Sequence, residues 1–310
     1  MAAVRHAPPA DSIRVFDRAL LRRRRARSVA GWQAHDFLKR EASAGLRERL
    51  DDIRHLFPRL LDLGAHGGEL TDSLAGRAGE ELTVRADLSE RFLAAKSGPR
   101  VAADEEFLPF APGSFDLVAS ALSLHWVNDL PGTLLQVRQA LRPDGLFLAA
   151  MLGGDTLCEL RQSLLEAEAE TEGGASPRVS PFVDLRDAAG LLQRAGFAMP
   201  VADTDRIDVR YPDALALMRE LRGMGESNAV LERRRTAFRR ATLLRAAQIY
   251  QQRFADAAGR IGATFEIVYL HGWSPHESQQ KPLRPGSAER RLADALGVTE
   301  MPGGEKVPRR

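Results

Sequence analysis

The sequence is poor in cysteine and contains no long apolar run. Its single cysteine, Cys158, excludes an internal disulfide framework and is typical of proteins from a reducing compartment. The longest uncharged apolar run, GLFLAAMLGG, is far too short to span a bilayer. No signal-peptide pattern opens the chain. We therefore expect a cytoplasmic protein, or a mitochondrial matrix protein if the source is eukaryotic, with no transmembrane segment and at most peripheral association with a membrane.

Aromatic residues are also scarce, and the net excess of positive charge lies at the N-terminal end. The chain has a net charge of +2, but residues 1–50 contain twelve Lys and Arg against five Asp and Glu, and the remainder is net negative. The run RRRRAR at 22–27 dominates this excess. With only 6% aromatic residues, the chain lacks the stacking side chains of a nucleic-acid surface. We interpret the run as a solvated basic helix that can touch an anionic partner, and we predict no nucleic-acid partner.

The hydrophobic pattern indicates an α/β fold. From Leu60, short apolar strands alternate with helices through RLLDLG, LTVRADLS, RVAAD, FDLVASAL and LFLAAML. This alternation predicts a doubly wound parallel sheet with helices on both faces. Two further strands, DTDRIDVRY and ATFEIVYLHGW, follow in a more helical region, where LERRRTAFRRATLLRAAQIYQQRFA is predicted to be one helix.

Four parts are predicted along the chain. They are an N-terminal helical cap (1–55), a cofactor-binding core (56–152), lid helices with the last strands (153–273) and a flexible tail (274–310). The cap contains two predicted helices, SIRVFDRALLRRRRARSV and WQAHDFLKREASAGLRERLDDI.

A glycine-rich turn and three acids point to a nucleoside ligand. Gly64, Gly67 and Gly68 follow a buried strand and let the backbone approach a ligand closely. Asp62, Asp87 and Asp104 fall at three successive strand ends, which meet at the ligand-binding edge of an open parallel sheet.

The chemistry of these residues selects one class of nucleoside. Asp87 is placed to accept hydrogen bonds from a ribose diol, and Asp104 suits an adenine amino group. His66 and Glu69 occupy the second and third glycine positions of G-x-G-x-x-G, so a pyrophosphate is not expected. The set outlines S-adenosylmethionine; the alternative is that the acids merely cap helices.

Several segments then resemble a known family. The run from LDLGAHGG through RADLS, ADEEFLPF, FDLVASALSLHWVNDLP and LRPDGLF resembles the class I S-adenosylmethionine-dependent methyltransferases. The chain is similar to the malonyl-carrier-protein methyltransferases of biotin synthesis and, more specifically, to the mitochondrial complex I assembly factor 5 family. The latter similarity continues through GGDTLCEL, EGGASPRVSPF, MGESN and HESQ, from about residue 14 to about residue 288.

The resemblance implies roles for individual residues. Gly64 and Gly68 would line the methionine and ribose side, Asp87 would hold the ribose, and Asp104 with Glu105 would hold the adenine. The full set implied to bind S-adenosylmethionine is Asp62, Gly64, Ala65, Gly68, Asp87, Leu88, Asp104, Glu105 and Ser120, with Ser120 beside the methionine moiety. His66 stands where the family motif has its middle glycine, and we expect the imidazole to be tolerated without taking part in catalysis.

The same resemblance implies an activity. Members of the complex I assembly family hydroxylate an arginine of an iron–sulfur subunit, on a methyltransferase scaffold. His125, Trp126 and Asp155 are the candidate substrate residues, and His125 and Asp155 are the candidate catalytic residues; no catalytic residue is assigned. His125, His271 and His276 show no ligand spacing, so no metal site is predicted.

Two alternatives remain open at this stage. One is a true methyltransferase acting on a carboxylate, for example on a carrier-protein-bound acyl group. The other is a non-catalytic assembly chaperone that binds the cofactor structurally. All three functions require the same adenosyl pocket.

Overall fold

The computed structural model describes residues 14–94, 97–279 and 297–299. The strands are β1 (Phe57–Leu63), β2 (Ala78–Asp87), β3 (Arg100–Ala102), β4 (Phe115–Ala121), β5 (Leu141–Leu152), β6 (Ala198–Tyr211) and β7 (Ile261–Trp273). The α-helices are α1 (Arg18–Ser28), α2 (Phe37–Asp51), α3 (Glu69–Ser73), α4 (Glu90–Ala94), α5 (Leu130–Ala140), α6 (Cys158–Glu172), α7 (Leu185–Arg194), α8 (Ala214–Gly223) and α9 (Arg240–Phe254). Short 3-10 turns cover Val29–Ala34 and Leu124–Trp126.

All seven strands form one mixed sheet in the order β3-β2-β1-β4-β5-β7-β6. Neighbours among β1 to β5 run parallel, which confirms the predicted doubly wound α/β fold. β7 runs antiparallel to both β5 and β6, a direction that the sequence pattern did not specify for the last two strands. The burial of β6 alternates along much of its length, as expected for an edge strand with one face uncovered.

Helices cover both faces of the sheet. Leu60 on β1 belongs to a hydrophobic cluster shared with α2, α6 and α9, whereas the next residue, Leu61, belongs to a cluster shared with α5 and α7. Both leucines are at most 1% exposed. Because successive side chains of a strand point to opposite faces, a strand covered on both sides must be apolar at consecutive positions. The sequence LLDL in β1 meets that requirement except at Asp62.

The N-terminal segment begins differently from its prediction. Phe16 forms an isolated antiparallel bridge with Val230, and α1 starts at Arg18, with the Asp17 side chain accepting a hydrogen bond from the backbone N–H of Leu20. Phe16 also packs edge-on against Trp126, with ring centroids 5.2 Å apart. The segment is therefore anchored over the carboxyl end of β4 before the helix begins.

The basic run on α1 is only partly solvated. Arg22 and Arg23 are exposed, but Arg25 is 1% exposed and points into the protein. The interpretation of the run as a solvated basic helix is therefore wrong for Arg25. Residues three or four positions apart lie on the same face of an α-helix. Some residues of any helical run therefore lie on the packed face, whatever their charge.

The long helix predicted over 231–255 is also shorter than expected, since only α9 is helical. The backbone N–H of Leu231 donates to the carbonyl of Val15, 2.8 Å away. Arg233 donates to the Asp17 carboxylate and Arg234 pairs with Glu172. Bonds to other elements thus replace the local hydrogen bonds that a helix would need.

Described residues up to His276 form one compact unit. The division into cap, core, lid and tail stays a prediction, and most of the tail predicted over 274–310 lies outside the described residues. No described helix is both long and apolar enough to cross a membrane.

Candidate functional site

The glycine turn lies between β1 and α3. Gly64 and Gly68 both adopt left-handed backbone angles, with φ of 77° and 89°. A Cβ on Gly64 would collide with the side chain of Ser123, so both the angle and the space require glycine there. The backbone N–H groups of Gly64 and Ala65 donate to the carbonyl of Ala86 at 2.8 and 3.0 Å, which ties the turn to the end of β2.

His66 fills the tightest part of this turn. Its φ is 46°, the residue is 2% exposed, and its ring stacks on Trp32 with centroids 5.2 Å apart. Burial, together with the charges of Lys39 and Arg25, lowers the pKa of His66 well below its ordinary value, so the imidazole is neutral. His66 therefore occupies the glycine position as a packed, uncharged group.

Lys39 of α2 binds the same turn from above. Its ammonium group donates to the carbonyl oxygens of Gly64, at 2.7 Å, and of Ala121, and lies 3.1 Å from Nδ1 of His66. Burial lowers the pKa of Lys39. A lysine within an amphipathic helix gives no sequence signal for such a contact, and Lys39 was not among the predicted site residues.

Asp87 and Asp62, at the ends of β2 and β1, are both fully buried. Asp87 accepts hydrogen bonds from the backbone N–H groups of His66, at 3.0 Å, and Ser89, at 2.7 Å. Burial raises the pKa of Asp87, and the charge of Arg25 opposes the rise. Burial likewise raises the pKa of Asp62; one oxygen of Asp62 accepts from Thr71 at 2.6 Å, and the other, Oδ1, is buried with no hydrogen-bond partner among the described residues.

The predicted adenine acids are ion-paired with α1. Arg18 contacts Asp104 at 2.5 Å and also pairs with Glu105, while Arg25 contacts Glu105 at 3.1 Å and donates to Ser123. Burial would raise the pKa of Glu105, but the two guanidinium groups outweigh it and hold the pKa well below its usual range. Arg25 also lies 3.9 Å from Asp87.

The remaining predicted cofactor residues lie around the same edge. The hydroxyl of Ser120 donates to the carbonyl of Leu63 at 2.7 Å, and Leu88 packs with Phe16 and Trp126. The structure thus brings the predicted set to the carboxyl ends of β1, β2 and β4.

The edge has features that fit an adenosyl compound and one that opposes it. The backbone cradle at Gly64, the unsatisfied Oδ1 of Asp62 and the unsatisfied hydroxyl of Ser89 suit a polar ligand. Arg18 and Arg25, however, engage the carboxylates that a ribose and an adenine would use. The residue types fit, and binding requires these guanidinium groups to share or release the acids.

On the substrate side, His125 and Trp126 converge on Glu226. Both lie in the 3-10 turn after β4, and they are 4% and 1% exposed. Nε1 of Trp126 donates to Oε2 of Glu226 at 2.8 Å, and Nε2 of His125 is 3.0 Å from the same oxygen. Since a carboxylate only accepts, Nε2 of His125 carries a hydrogen, and Nδ1 is buried without a described partner. Glu226 belongs to the MGESN segment, whose importance the sequence indicated but whose contacts it did not.

Asp155 does not join this cluster. Its side chain is exposed, and its backbone N–H donates to Glu266 on β7 at 3.0 Å. It does not cap the following helix either, because Leu157 is the N-cap residue of α6 and no side chain caps that end. A substrate or catalytic role for Asp155 stays a prediction.

A cavity of about 740 Å³ lies beside the glycine turn, lined by Trp32, Gly67, Glu69 and Phe92 among others. A second cavity, of about 1020 Å³, lies next to Glu226 and is walled by Leu157, Leu160, Leu164, Phe182 and Met218. The Phe182 ring lies 5.9 Å from that of His125, which connects the second cavity to the carboxyl end of β4. Among the described residues, no three His, Cys, Asp or Glu side chains are close enough together to hold a metal ion.

Comparisons with known proteins agree with this geometry. A family model described as a methyltransferase domain matches residues 61–149. The malonyl-[acyl-carrier protein] O-methyltransferase of Laribacter hongkongensis is 35% identical, over 87% of this chain and 94% of that protein. A Bacillus halodurans C-125 protein described as a methyltransferase candidate has a similar fold, with a TM-score of 0.52 at 15% identity, over 74% of this chain and 99% of that one.

Two further relatives are more similar in sequence. The zebrafish (Danio rerio) protein named arginine-hydroxylase NDUFAF5, mitochondrial, is 43% identical over 94% of this chain and 92% of its own length. The human protein of the same name is 42% identical over 95% of this chain and 87% of its own length. Identity of this degree extends beyond the methyltransferase domain into the α6 to β7 region that builds the second cavity. The chain therefore belongs to the NDUFAF5 arginine-hydroxylase family.

Proposed function

We propose that this chain hydroxylates an arginine side chain of a protein substrate, with S-adenosylmethionine as the ligand of the glycine-turn edge. The observation that carries the proposal is the identity of 43% to a protein named arginine-hydroxylase over 94% of this chain, which includes the cavity region as well as the cofactor region. The family relationship supports a substrate in complex I assembly. An iron–sulfur subunit of complex I as that substrate, and the mitochondrial matrix as the location if the source is eukaryotic, belong to the same proposal.

The residues of the edge would hold the cofactor. Gly64 would let the backbone approach it, Asp87 would accept hydrogen bonds from the ribose, and Asp104 with Glu105 would hold the adenine. S-adenosylmethionine supplies an electrophilic methyl group when bound, which is the group that the methyltransferase alternative would transfer.

On the substrate side, His125 is the available proton acceptor. In its neutral form, Nδ1 would hold the lone pair while Glu226 fixes the ring through Nε2. Replacing a C–H bond of arginine by C–OH consumes dioxygen, two electrons from a reductant and two protons; one oxygen atom enters the product and the other leaves as water. Both co-reactants would be supplied from outside the chain.

Accurate mass of the product tests the proposal. The purified chain is incubated with the candidate subunit, labelled S-adenosylmethionine, dioxygen and a reductant, and the subunit is digested and analysed by mass spectrometry. We expect one oxygen atom to be gained on one arginine. A matched subunit with lysine at that arginine is the control and should stay unmodified.

Other products would support the alternatives. A methyl group on the subunit, with stoichiometric S-adenosylhomocysteine, would overturn the hydroxylase and favour a methyltransferase. The carboxyl methyltransferase is favoured by one specific observation, the arginine-rich cavity, since arginines suit an anionic substrate. An unmodified subunit whose assembly is nevertheless supported would favour the chaperone.

A further inference from the structure

The second cavity combines apolar walls with an excess of arginine. Seven arginines line it, and only two acids do, Asp213 and Glu226. The exposed apolar residues Leu215 and Phe238 stand at its border, 42% and 37% exposed. A cavity with this composition suits a ligand that carries both apolar and anionic groups.

Four of these arginines are already engaged by the chain itself. Arg178 and Arg234 pair with Glu168, Arg233 donates to Asp17, and Arg24 donates to backbone carbonyl groups. These four have structural partners and need no ligand.

The other three form what we call the arginine rim: Arg219, Arg222 and Arg235. All three are exposed and line the cavity. The side chain of Arg219 donates only to a carbonyl of its own helix, that of Leu215, and the guanidinium groups of Arg222 and Arg235 have no hydrogen bond or ion pair to any described residue. Burial lowers the pKa of Arg24, and repulsion from the nearby charges of Arg233, Arg27 and Arg222 lowers it further. A complementary anion would relieve this repulsion.

Glu226 is the cavity acid that contacts His125 and Trp126. Its described side-chain hydrogen bonds all go to Oε2, from Trp126 and His125, so Oε1 is left to the cavity that Glu226 lines. The side chain is only 12% exposed. A carboxylate held on one oxygen by two ring N–H groups is preorganised to receive a guanidinium group on the other.

From this arrangement we infer that the cavity recognises a peptide segment in which an arginine is flanked by acidic residues. Glu226 receives the guanidinium group, and the arginine rim pairs with the acidic side chains on either side. The inference rests on the proposed function, because it takes a protein arginine as the substrate, and it adds the charge pattern of the surrounding sequence. It also explains why an enzyme acting on a cation has a cationic cavity.

Peptide binding tests the inference without any oxidant. Three fluorescent peptides share one apolar sequence: Arg between Asp residues, Arg between Asn residues, and citrulline between Asp residues. Affinities are measured by fluorescence anisotropy with the full-length chain. We expect the Asp peptide to bind about tenfold more tightly than the Asn peptide at low salt, with the advantage shrinking as salt is added. Citrulline removes the charge of arginine but keeps its shape. We expect the citrulline peptide to bind about tenfold or more weakly than the matching arginine peptide.

Protein variants locate each effect. Arg222→Gln with Arg235→Gln should remove most of the Asp-over-Asn preference and leave the Arg-over-citrulline preference. Glu226→Gln should do the reverse, since the amide still accepts from Trp126 and His125. The control is Arg54→Gln with Arg194→Gln, two exposed arginines that do not line the cavity, and it should leave both preferences unchanged.

Two results would overturn the inference. One is equal affinity for the Asp and Asn peptides; the other is an unchanged citrulline penalty in Glu226→Gln. The comparison of the three peptides uses the unaltered chain, so it tests the inference even if a variant fails to fold. If the peptide preferences hold but the subunit is never hydroxylated, the proposed function fails and the recognition inference stands. If the subunit is hydroxylated while the preferences are absent, the inference fails and the proposed function stands.

Discussion

The carboxyl edge of the sheet, where the predicted cofactor residues lie, and the second cavity differ in whether their charged side chains are paired. At the edge, the buried carboxylates Asp87 and Glu105 are met by Arg25, and Asp104 is met by Arg18. At the cavity, Arg222 and Arg235 have no described anionic partner. Charges removed from water must be paired, whereas charges at an exposed rim are solvated and can stay unpaired in the absence of a ligand. The difference separates acids that the fold itself pairs with arginines from rim arginines that have no described anionic partner.

Breaking the pairing at the edge should have the largest effect. We expect Arg25→Met to lower the free energy of unfolding by about 3–5 kcal/mol, because it leaves two buried carboxylates with less compensation. Urea denaturation followed by circular dichroism measures it. The control, Arg22→Met on the same helix, removes a pair whose arginine side chain is 52% exposed and should cost no more than about 1 kcal/mol. Similar costs for both variants would refute the contrast between buried and exposed charge.

The second prediction concerns ligand binding at the same edge. Asp87→Ala should weaken S-adenosylmethionine binding tenfold or more, since a charge-assisted hydrogen bond is worth about 1.5–3 kcal/mol. Titration calorimetry measures it, with Glu80→Ala, at the other end of β2, as the control. Unchanged affinity in a folded Asp87→Ala variant would remove Asp87 from the cofactor site.

The third prediction tests the compensated arginines of the cavity. Glu168 is 1% exposed; burial would raise its pKa, but hydrogen bonds from Arg178 and Ser176 outweigh it and lower the pKa to about 2. A lowered carboxylate pKa stabilises the fold above the unfolded value of 4.5, and this stability is lost as pH falls from there through about 2. Glu168→Gln should therefore reduce the loss of stability over that window by on the order of 2 kcal/mol.

Chemical denaturation at a series of pH values measures the slope of the free energy of unfolding against pH. The matched control is Glu170→Gln, which changes an exposed acid of the same helix. A slope that Glu168→Gln leaves unaltered would show that the pair with Arg178 does not stabilise the folded state.

The smallest effect is expected at the glycine turn. His66→Gly relieves a left-handed backbone angle but loses the stacking contact with Trp32, and each is worth about 1 kcal/mol. Cofactor affinity, measured by calorimetry, should stay within about threefold of the original. Intact binding with complete loss of turnover would instead assign the imidazole to the chemistry.

The sequence predicts best where one segment carries all the information. Asp62, Asp87 and Asp104 each lie at or just after the end of a recognisable strand, and the parallel topology brings strand ends together, so their common edge could be predicted. Arg25 could not, because its partners Glu105 and Ser123 are 80 and 98 residues away. In a run of four arginines, nothing local distinguishes the buried one from its exposed neighbours.

The same limit explains Glu226 and the 231–239 segment. Glu226 is held by His125 and Trp126, about a hundred residues earlier, so its segment could be noticed but its contacts could not. The helix predicted through 231–239 is absent because that backbone bonds to residues near 15, a choice that local helix propensity does not contain.

The bridge between Phe16 and Val230 has a further consequence. Backbone hydrogen bonds run from Asp17 to Ala229 and from Leu231 to Val15, both at 2.8 Å. The segment that leads into α1 is thereby bonded to the loop that follows Glu226, and the arginines of α1 pair with the acids predicted to hold the cofactor. A shift of α1 that frees Asp87 would pull on the cavity wall, and a ligand that steadies that wall would steady α1. Energetic coupling of this kind is reciprocal, so if both sites bind ligands we expect the affinity of each to depend on whether the other is occupied.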